Sequence, residues 1–336
     1  MIESPTSQAF RGCEPGPRTP LNADPLGGST SVVSRSEASA SAFWDLQRGA
    51  AGREGPRMDL DEYRRRSRES WEALAPGWDR QREGIASMAW PVREWLVDTL
   101  ALRPGETLLE LSAGPGEVGF EAAPQLGERG RLICSDFSPE MVEVARRRGA
   151  ELGFENVDYR EIDAERIDLD ADAVDAVLCR FGYMLMADPA AALAETRRVL
   201  RPGGRVALAV WGAPNHNPWF SVAAALFQER GHLPPPEPDG PGPFSMGSEE
   251  RTAALLRGAG FESLRIVEVA IRAIYRDVDD YLSFSADTAG PLAMAMRQLA
   301  ETENRAVREA LAERFAPFAS DEGYALPGLA LCAVAR

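Results

Sequence analysis

The chain has 336 residues, of which 44% are hydrophobic, and its formal net charge is −15 at pH 7. This composition supports a buried core, and the acidic balance argues against partners that need a basic face, namely nucleic acid or an anionic membrane surface. The absence of lysine excludes Schiff-base, P-loop and lysine-base chemistry, while four dispersed cysteines and only two histidines predict a cytoplasmic protein without disulfides or a metal site.

Residues 1–57 are rich in Ser, Pro, Gly, Ala and Thr and contain few large apolar side chains. Such a segment cannot bury enough surface to offset the entropy of ordering, so we predict a disordered N-terminal extension. A translation start at Met58, directly before a helical pattern, is an alternative that would leave residues 1–57 untranslated. The sequence predicts neither a signal peptide nor a transmembrane helix.

A helical region is predicted over residues 58–103. Apolar residues recur at spacings of three and four from Leu60 to Leu74, and Pro76-Gly77 is expected to end this first helix. A second helix covers about 88–100. Two interpretations of the region stay open, packing against the main domain or a lid over a binding pocket. Both depend on four aromatic residues: Trp71, Trp78, Trp90 and Trp95.

The stretch 108–120, LLELSAGPGEVGF, predicts a short buried strand, a tight turn of small residues and a helix start. Gly114, Gly116 and Gly119 match the dinucleotide-binding fingerprint G-x-G-x-x-G. Glu110 lies late in the buried strand, where a carboxylate needs a partner. A cofactor with a cationic amino-acid tail provides that partner, whereas a dinucleotide does not.

Strands and helices alternate from this stretch to residue 211, which predicts a doubly wound parallel sheet. Ser138-Pro139 is a strong helix start after the strand that ends at Asp136. Beyond residue 211 the pattern is less regular. The predicted elements there are a helix over 217–230, a surface loop over 233–244, a strand over 261–275, a mainly helical stretch over 277–319 and a final strand over 329–335.

Four stretches carry a family resemblance: ELSAGPG at 110–116, SDFSPEMVEVARRR at 135–148, REIDAERIDLDADAVDAVLCRFGYML at 160–185 and RRVLRPGGRVALAVW at 197–211. In this order they resemble the class I S-adenosylmethionine (SAM)-dependent methyltransferases, in particular the small-molecule ubiquinone/menaquinone-biosynthesis (methyltransferase type 11) group. Ser112 departs from this pattern, because the family most often has glycine there.

The resemblance implies a Rossmann-like α/β fold. Its sheet would have seven strands in the order 3-2-1-4-5-7-6, with strand 7 antiparallel. The methyltransferase domain would occupy residues 104–336, after the N-terminal helices, and a helical insertion at 277–320 would precede the last strand.

The resemblance also assigns cofactor contacts by position. Asp136 would accept hydrogen bonds from both ribose hydroxyls, and Asp163 would accept from the adenine amino group. Phe137 and Met141 would contact adenine or else pack in the core, and Arg180 would lie near the methyl donor or else form a structural ion pair. The full set is Glu110, Ser112, Ala113, Gly114, Gly116, Asp136, Phe137, Met141, Asp163, Ala164, Arg180 and Phe181.

The methyl acceptor is expected beside the fourth and fifth strands. His216 follows the fifth strand and is the best candidate for a catalytic base, while a polar loop histidine without a catalytic role is the interpretation that the sequence alone favours. The Pro-Pro-Tyr motif of nucleic-acid amino methyltransferases is absent, since CRFG stands at 179–182. The expected acceptor pocket is apolar and consists of Tyr183, Met184, Trp211 and Trp219.

These observations favour an enzyme that methylates a small, rather apolar metabolite by in-line displacement, with the acceptor atom (O, C or N) left open. A nicotinamide-dependent oxidoreductase is an alternative, because the glycine fingerprint alone does not separate the two cofactors. A non-catalytic SAM-binding protein is a second alternative, because such a site requires no specific catalytic residue.

We predict that deleting residues 1–57 leaves the melting temperature and the SAM affinity unchanged, because this composition does not support packing. The two proteins can be compared by thermal denaturation and calorimetry. A truncated chain that melts earlier or binds SAM more weakly would contradict the prediction.

Overall fold

The computed structural model describes residues 59–235 and 240–336, and the predicted disordered extension at 1–57 lies outside the described residues. Eight strands of this part form one sheet in the order β3-β2-β1-β4-β5-β8-β6, and β7 pairs with β8 alone. The strands are β1 Thr107–Glu110, β2 Arg131–Asp136, β3 Val157–Glu161, β4 Val174–Arg180, β5 Leu200–Trp211, β6 Leu264–Tyr275, β7 Ala319–Ser320 and β8 Gly323–Ala335.

The strand order confirms the predicted Rossmann-like sheet. Strands β1 to β5 are parallel, and β8 pairs antiparallel with both β5 and β6. The two-residue β7 is a hairpin partner of β8, so the family's seventh strand is the eighth of the described strands. Successive residues from Leu108 to Glu110 are buried, as are those from Val206 to Trp211. Because neighbouring residues of a strand point to opposite faces, both faces of the sheet are covered at its centre.

Eleven α-helices accompany the sheet in the described residues. Asp59, Ser138, Asp188, Ser248 and Asp277 accept first-turn amides of five helices through their side chains, which fixes where those helices begin. The helices are α1 Leu60–Arg80, α2 Arg82–Met88, α3 Trp90–Leu100, α4 Glu117–Leu126, α5 Pro139–Glu151, α6 Pro189–Val199, α7 Pro218–Glu229, α8 Glu249–Gly258, α9 Val278–Thr288, α10 Gly290–Arg297 and α11 Glu301–Phe315.

The first helix is longer than the sequence predicts. The expected end at Pro76-Gly77 is wrong, because α1 continues through both residues to Arg80. The indole N–H of Trp78 donates to the carbonyl of Thr288 at 3.2 Å, and the side-chain amide of Gln81 donates to Asp287 at 2.9 Å. These contacts with α9 offset the amide hydrogen bond that a proline removes from a helix.

Helix α1 crosses the carboxyl ends of the parallel strands. Near its start the Tyr63 hydroxyl donates to the carbonyl of Leu185, beyond β4, at 2.8 Å. One turn on, Arg68 pairs with Glu161 at the end of β3. In its second half Ala75 packs against Met141 of α5. The helix therefore lies over the edge where the glycine turn emerges.

Helices α7, α9, α10 and α11 form a second apolar cluster with the ends of β6 and β8. The largest fully buried rings there are Tyr281, Phe227 and Phe315. Helices α9, α10 and α11 of this cluster lie within 277–320, as predicted for a helical insertion before the last strand, whereas α7 joins the cluster from outside that range. The last strand begins at Gly323, six residues before the predicted 329, because it pairs with β6 along its whole length.

The predicted surface loop at 233–244 is only partly described, since residues 236–239 lie outside the described range. Its end is not a surface loop. Phe244 is half-buried, the following Met246 is fully buried, and the Ser245 hydroxyl donates to the carbonyl of Met184 at 2.7 Å. The apolar side chains bring this segment back onto the end of β4.

No helix in the described residues is both long enough and apolar enough to cross a membrane.

The close contact between α1 and α9 yields a paired prediction. A Cβ on Gly77 would overlap the carbonyl oxygen of Asp287, so Gly77→Ala should destabilise the fold by ~1–3 kcal/mol. Gly84→Ala in α2 is the matched control. Its Cβ would lie 3.9 Å from Phe284, so only the gain of ~0.5–1 kcal/mol for alanine in a helix should remain. Urea denaturation measures both, and shifts of the same sign would contradict the packing of α1.

Candidate functional site

The glycine turn between β1 and α4 has an unusual backbone. Ser112, Gly114 and Gly116 have φ values of 51°, 54° and 82°, in the left-handed region that favours glycine. The amide of Ala113 donates to the carbonyl of Ser135 at 2.9 Å, which ties the turn to β2. Ser112, where the family most often has glycine, therefore occupies a strained conformation that the surroundings impose.

Asp136 holds this turn from the neighbouring strand. Its side chain is buried, with Oδ2 accepting the amide of Gly114 and Oδ1 accepting the amide of Ser138, each at 3.0 Å. Burial raises the pKa of Asp136 to about 6, although these two amides and that of Phe137 lower it. One carboxylate therefore connects the end of β2, the glycine turn and the start of α5.

Glu110 points under the turn. The residue is 2% exposed, and its Oε1 accepts the amide of Gly119 at 3.0 Å, while Oε2 has no hydrogen-bond partner among the described residues. A Cβ on Gly119 would overlap Oε2, which explains the glycine at this helical position. Burial raises the pKa of Glu110 to about 8, against the opposing effects of the Gly119 amide and of Arg180. The predicted contact of Glu110 with a cationic cofactor tail stays a prediction, and Oε2 is the carboxylate oxygen left for it.

A second buried carboxylate, which the sequence analysis missed, lies on the other side of the turn. Glu117 is the first residue of α4, and its side chain is 3% exposed. It faces Arg180, at the end of β4, at 3.5 Å and Arg148 of α5 at 3.6 Å. The only signal in the sequence was its position directly after Gly116.

The residues predicted to contact adenine differ in how far they are exposed. Phe137 is half-buried, Asp163 is exposed and Ala164 is buried. The Oδ1 atom of Asp163 accepts the amide of Glu165 at 2.9 Å, so this carboxylate also shapes its own turn. Met141 is buried against Ala75 of α1, which favours the packing interpretation that the sequence left open.

Aromatic rings form a continuous row from the end of β4 outward, which we call the aromatic row. Phe181 is stacked on Trp211 with a centroid separation of 3.7 Å, and Trp211 meets Trp219 edge-on at 5.0 Å. Phe220 and Phe244 continue the row at 5.6 and 5.7 Å. Phe181 has a φ of 60°, so a left-handed residue aims the first ring. All members except the buried Trp211 are half-buried and present apolar surface.

Two residues predicted for the acceptor pocket lie in the core instead. Tyr183 is fully buried, and its hydroxyl is 2.6 Å from Thr196 Oγ1 in α6. Met184 is 2% exposed, and its sulfur accepts the amide of Trp211 at 3.3 Å. Tyr183 and Met184 are therefore too buried to contact an acceptor. Their side chains instead pack β4 against α6 and β5.

The segment after β5 is organised by Asn217 rather than by His216. Asn217 is fully buried, and its amide nitrogen lies 3.1 to 3.2 Å from the carbonyls of Gly212, Ala213 and Leu329. Its Oδ1 accepts the Leu329 amide and the indole N–H of Trp219. His216 itself is exposed at the end of a single 3₁₀ turn. No cluster of three or more His, Cys, Asp or Glu side chains suited to a metal occurs in ranges 59–235 and 240–336.

The protonation of Glu110 yields a pH-dependent prediction. The pKa of Glu110 rises from 4.5 in the unfolded chain to about 8 in the fold, so the folded protein holds this proton more tightly. The free energy of unfolding therefore falls as pH increases from about 4.5 to 8. Glu110→Gln imitates the protonated form. Its stability should equal that of the wild type at pH 4 and exceed it increasingly up to pH 9, as measured by urea denaturation. A difference that does not change with pH would mean that Glu110 is ionised in the fold.

The chain is similar in sequence to known proteins. Residues 108–204 match the family described as a methyltransferase domain. The chain is 41% identical over 127 residues to an uncharacterized 37.1 kDa protein in transposon Tn4556 from Streptomyces fradiae, covering 38% of this chain and 34% of that protein. It is 28% identical over 131 residues to the ubiquinone/menaquinone biosynthesis C-methyltransferase UbiE from Coxiella burnetii, covering 39% and 52%. The chain thus spans about half or less of the length of these curated relatives.

Among solved structures, the YcgJ protein from Bacillus subtilis matches with a TM-score of 0.51 and 19% identity, covering 72% of this chain and 96% of that chain. This similarity supports the fold. The predicted resemblance is confirmed: residues 108–204 are a class I methyltransferase domain, whose cofactor is S-adenosyl-L-methionine, in a chain that resembles the ubiquinone/menaquinone-biosynthesis methyltransferases.

Proposed function

We propose that this chain transfers a methyl group from SAM to a small, rather apolar metabolite. The observation that carries the proposal is the left-handed turn at 112–116, which lies at the carboxyl ends of β1, β2 and β4 and is held by Asp136. In a doubly wound sheet, ligands bind at this edge where the strand order reverses, here between β1 and β4.

The residues around the turn fit SAM. Gly114 leaves the backbone open to close approach, because the nearest atom to a Cβ there would be 4.0 Å away, and Gly116 gives α4 no side-chain cap. Asp136 uses each oxygen once for an amide, and a carboxylate has about four acceptor positions, so the ribose hydroxyls can still be bound. We assign the ribose to Asp136 and the adenine to Phe137 and Asp163.

When bound, SAM supplies a methyl group on a positively charged sulfur that a nucleophile attacks in line. The chain then has to align the acceptor and exclude water. Helix α1 supports the second task, because it crosses this edge and places Trp78 Cε3 4.0 Å from the position of a Cβ on Gly114. We therefore propose a lid role for Trp78, whereas Trp90 is 47% exposed and takes no part in it.

The aromatic row supports an apolar acceptor. It begins at Phe181, directly after Arg180 at the end of β4, and leads away from the glycine turn through Trp219 and Phe220. The relative from Coxiella burnetii is named a C-methyltransferase, so a ring carbon is one acceptor to test beside oxygen and nitrogen. His216 is exposed after β5, and we keep it as the candidate base for an acceptor that must lose a proton.

The competing functions differ in ligand and in turnover. A nicotinamide-dependent oxidoreductase would bind NAD and not SAM, and calorimetry with both ligands separates it from the proposal. A non-catalytic SAM-binding protein would bind SAM without turnover. Release of S-adenosylhomocysteine, followed across phenols, quinols, amines and polyketides, tests the enzymatic proposal. Binding of NAD alone would overturn it, and SAM binding without turnover of any acceptor would favour the second alternative.

For an acceptor found in this screen, Trp219→Leu should raise KM by about 5- to 30-fold, since it removes an aromatic face from the row. Trp90→Leu is the matched control, because Trp90 is largely exposed on α3. Steady-state kinetics compare the two variants. Equal KM values for both would exclude the aromatic row as the acceptor site.

A further inference from the structure

Strand β6 forms one edge of the sheet. In ranges 59–235 and 240–336 its only partner is β8, and the two strands pair without a shift along all 12 residues of β6. The strand contains neither proline nor glycine. A long, regular edge of this kind presents amides and carbonyls to which another strand can add. The opposite edge is different, because β3 has 5 residues and three of them are charged.

The hydrogen bonds to β8 show which backbone groups of β6 point outward. Directly before β6, Ser263 and Arg336 donate to each other's carbonyls at 3.2 and 3.0 Å. Because such pairs alternate along an antiparallel ladder, the even-numbered residues of β6 direct their amide and carbonyl away from β8. The next strand agrees, since Leu329, which lies opposite Ala270, accepts the amide of Gly212 after β5. A strand added at this edge would therefore bond to the even-numbered residues of β6.

The side chains of these residues lie on an exposed face. Glu268 and Arg272 are exposed, and Ile274 is 47% exposed, which is unusual for a large apolar side chain in a strand. The third charge of β6, Arg265, is on the other face, where it donates to the hydroxyl of Thr99 in α3 at 3.1 Å. The outward edge thus carries one acid, one base and an apolar side chain on the same face.

The positions of these charges select one register for two antiparallel copies of β6. Even-numbered residues have to lie opposite even-numbered residues, because their backbone groups point outward. With Ala270 on the two-fold axis, Glu268 of each copy lies opposite Arg272 of the other, and Ile266 lies opposite Ile274. An axis at Glu268 or at Arg272 would place like charges opposite each other. An axis at either residue next to Ala270 would leave both charges opposite apolar residues.

We propose that the chain forms a symmetric dimer through β6, in which a second copy continues the sheet across a two-fold axis at Ala270. Two Glu268–Arg272 ion pairs fix the register, and Ile274 is covered by Ile266 of the other copy. The pairing gives the outward amides and carbonyls of 266–274 partners, and opposite charges across neighbouring strands stabilise it further.

Sedimentation equilibrium of the full chain tests the proposal, and the wild type should sediment as a dimer. Glu268→Arg and Arg272→Glu each turn both ion pairs into contacts between like charges, so each should weaken the dimer by about 10- to 100-fold. The double variant exchanges the two charges and should recover the affinity of the wild type. Glu309→Arg is the matched control, because it makes the same change of charge at an exposed position of α11 and should have little effect.

Single cysteines test the register and stay informative if a charge variant does not fold. In a Cys13→Ser background the remaining cysteines are buried. Ala270→Cys would face its own copy at a Cα separation of about 5.5 Å, within the range of a disulfide, and should cross-link on oxidation. Glu268→Cys is the control, because its own copy would lie four residues along the strand, about 13 Å away.

Four results would overturn the proposal. They are a wild-type chain that is monomeric, a dimer that neither single charge variant weakens, a double variant no tighter than the single ones, and cross-linking without preference for Ala270→Cys over Glu268→Cys.

Discussion

The site depends on carboxylates that are buried at the carboxyl edge of the sheet and must find hydrogen-bond donors there. Asp136 and Glu110 take theirs from the backbone of the turn and of α4, at Gly114 and Gly119. A buried carboxylate without donors is strongly unfavourable, so these bonds determine the path of the chain between β1 and α4. The left-handed φ values at Ser112 and Gly114 follow from this arrangement.

The remaining parts of the edge are held by weaker forces. Helix α1 lies across it through pairs such as Arg64–Glu165 and Arg147–Asp79, in which the arginine is 38% and 53% exposed. Exposed pairs contribute only about 0–1 kcal/mol each. The tight contact of Gly77 with α9 holds one end of helix α1. The buried core and this more weakly held helix therefore meet at the same edge of the sheet.

Some features of the site follow from local rules and others do not. The turn at 112–116 and the helix start at Ser138-Pro139 were predictable, because small residues and N-caps have strong local preferences. The end of α1 was mispredicted at Pro76-Gly77, because contacts with a helix some two hundred residues away outweigh the local effect of proline. Tyr183 was expected in a pocket but lies in the core. The sequence did not indicate this, because the hydrogen-bond partner of its hydroxyl group, Thr196, lies in the next helix.

The sequence by itself determined the alternation of strands and helices, the glycine turn and the acid at the end of each of the first two strands, because these depend on residues near one another in the chain. Only the tertiary structure decided which way each charge points. Glu110 turns under α4 and Glu117 towards Arg180 because the partners come from separate strands and helices. Likewise Asn217 rather than His216 organises the segment after β5, since its partner Leu329 lies in the last strand. Spacing along a chain predicts local geometry, whereas the pairing of buried polar groups depends on which elements pack together.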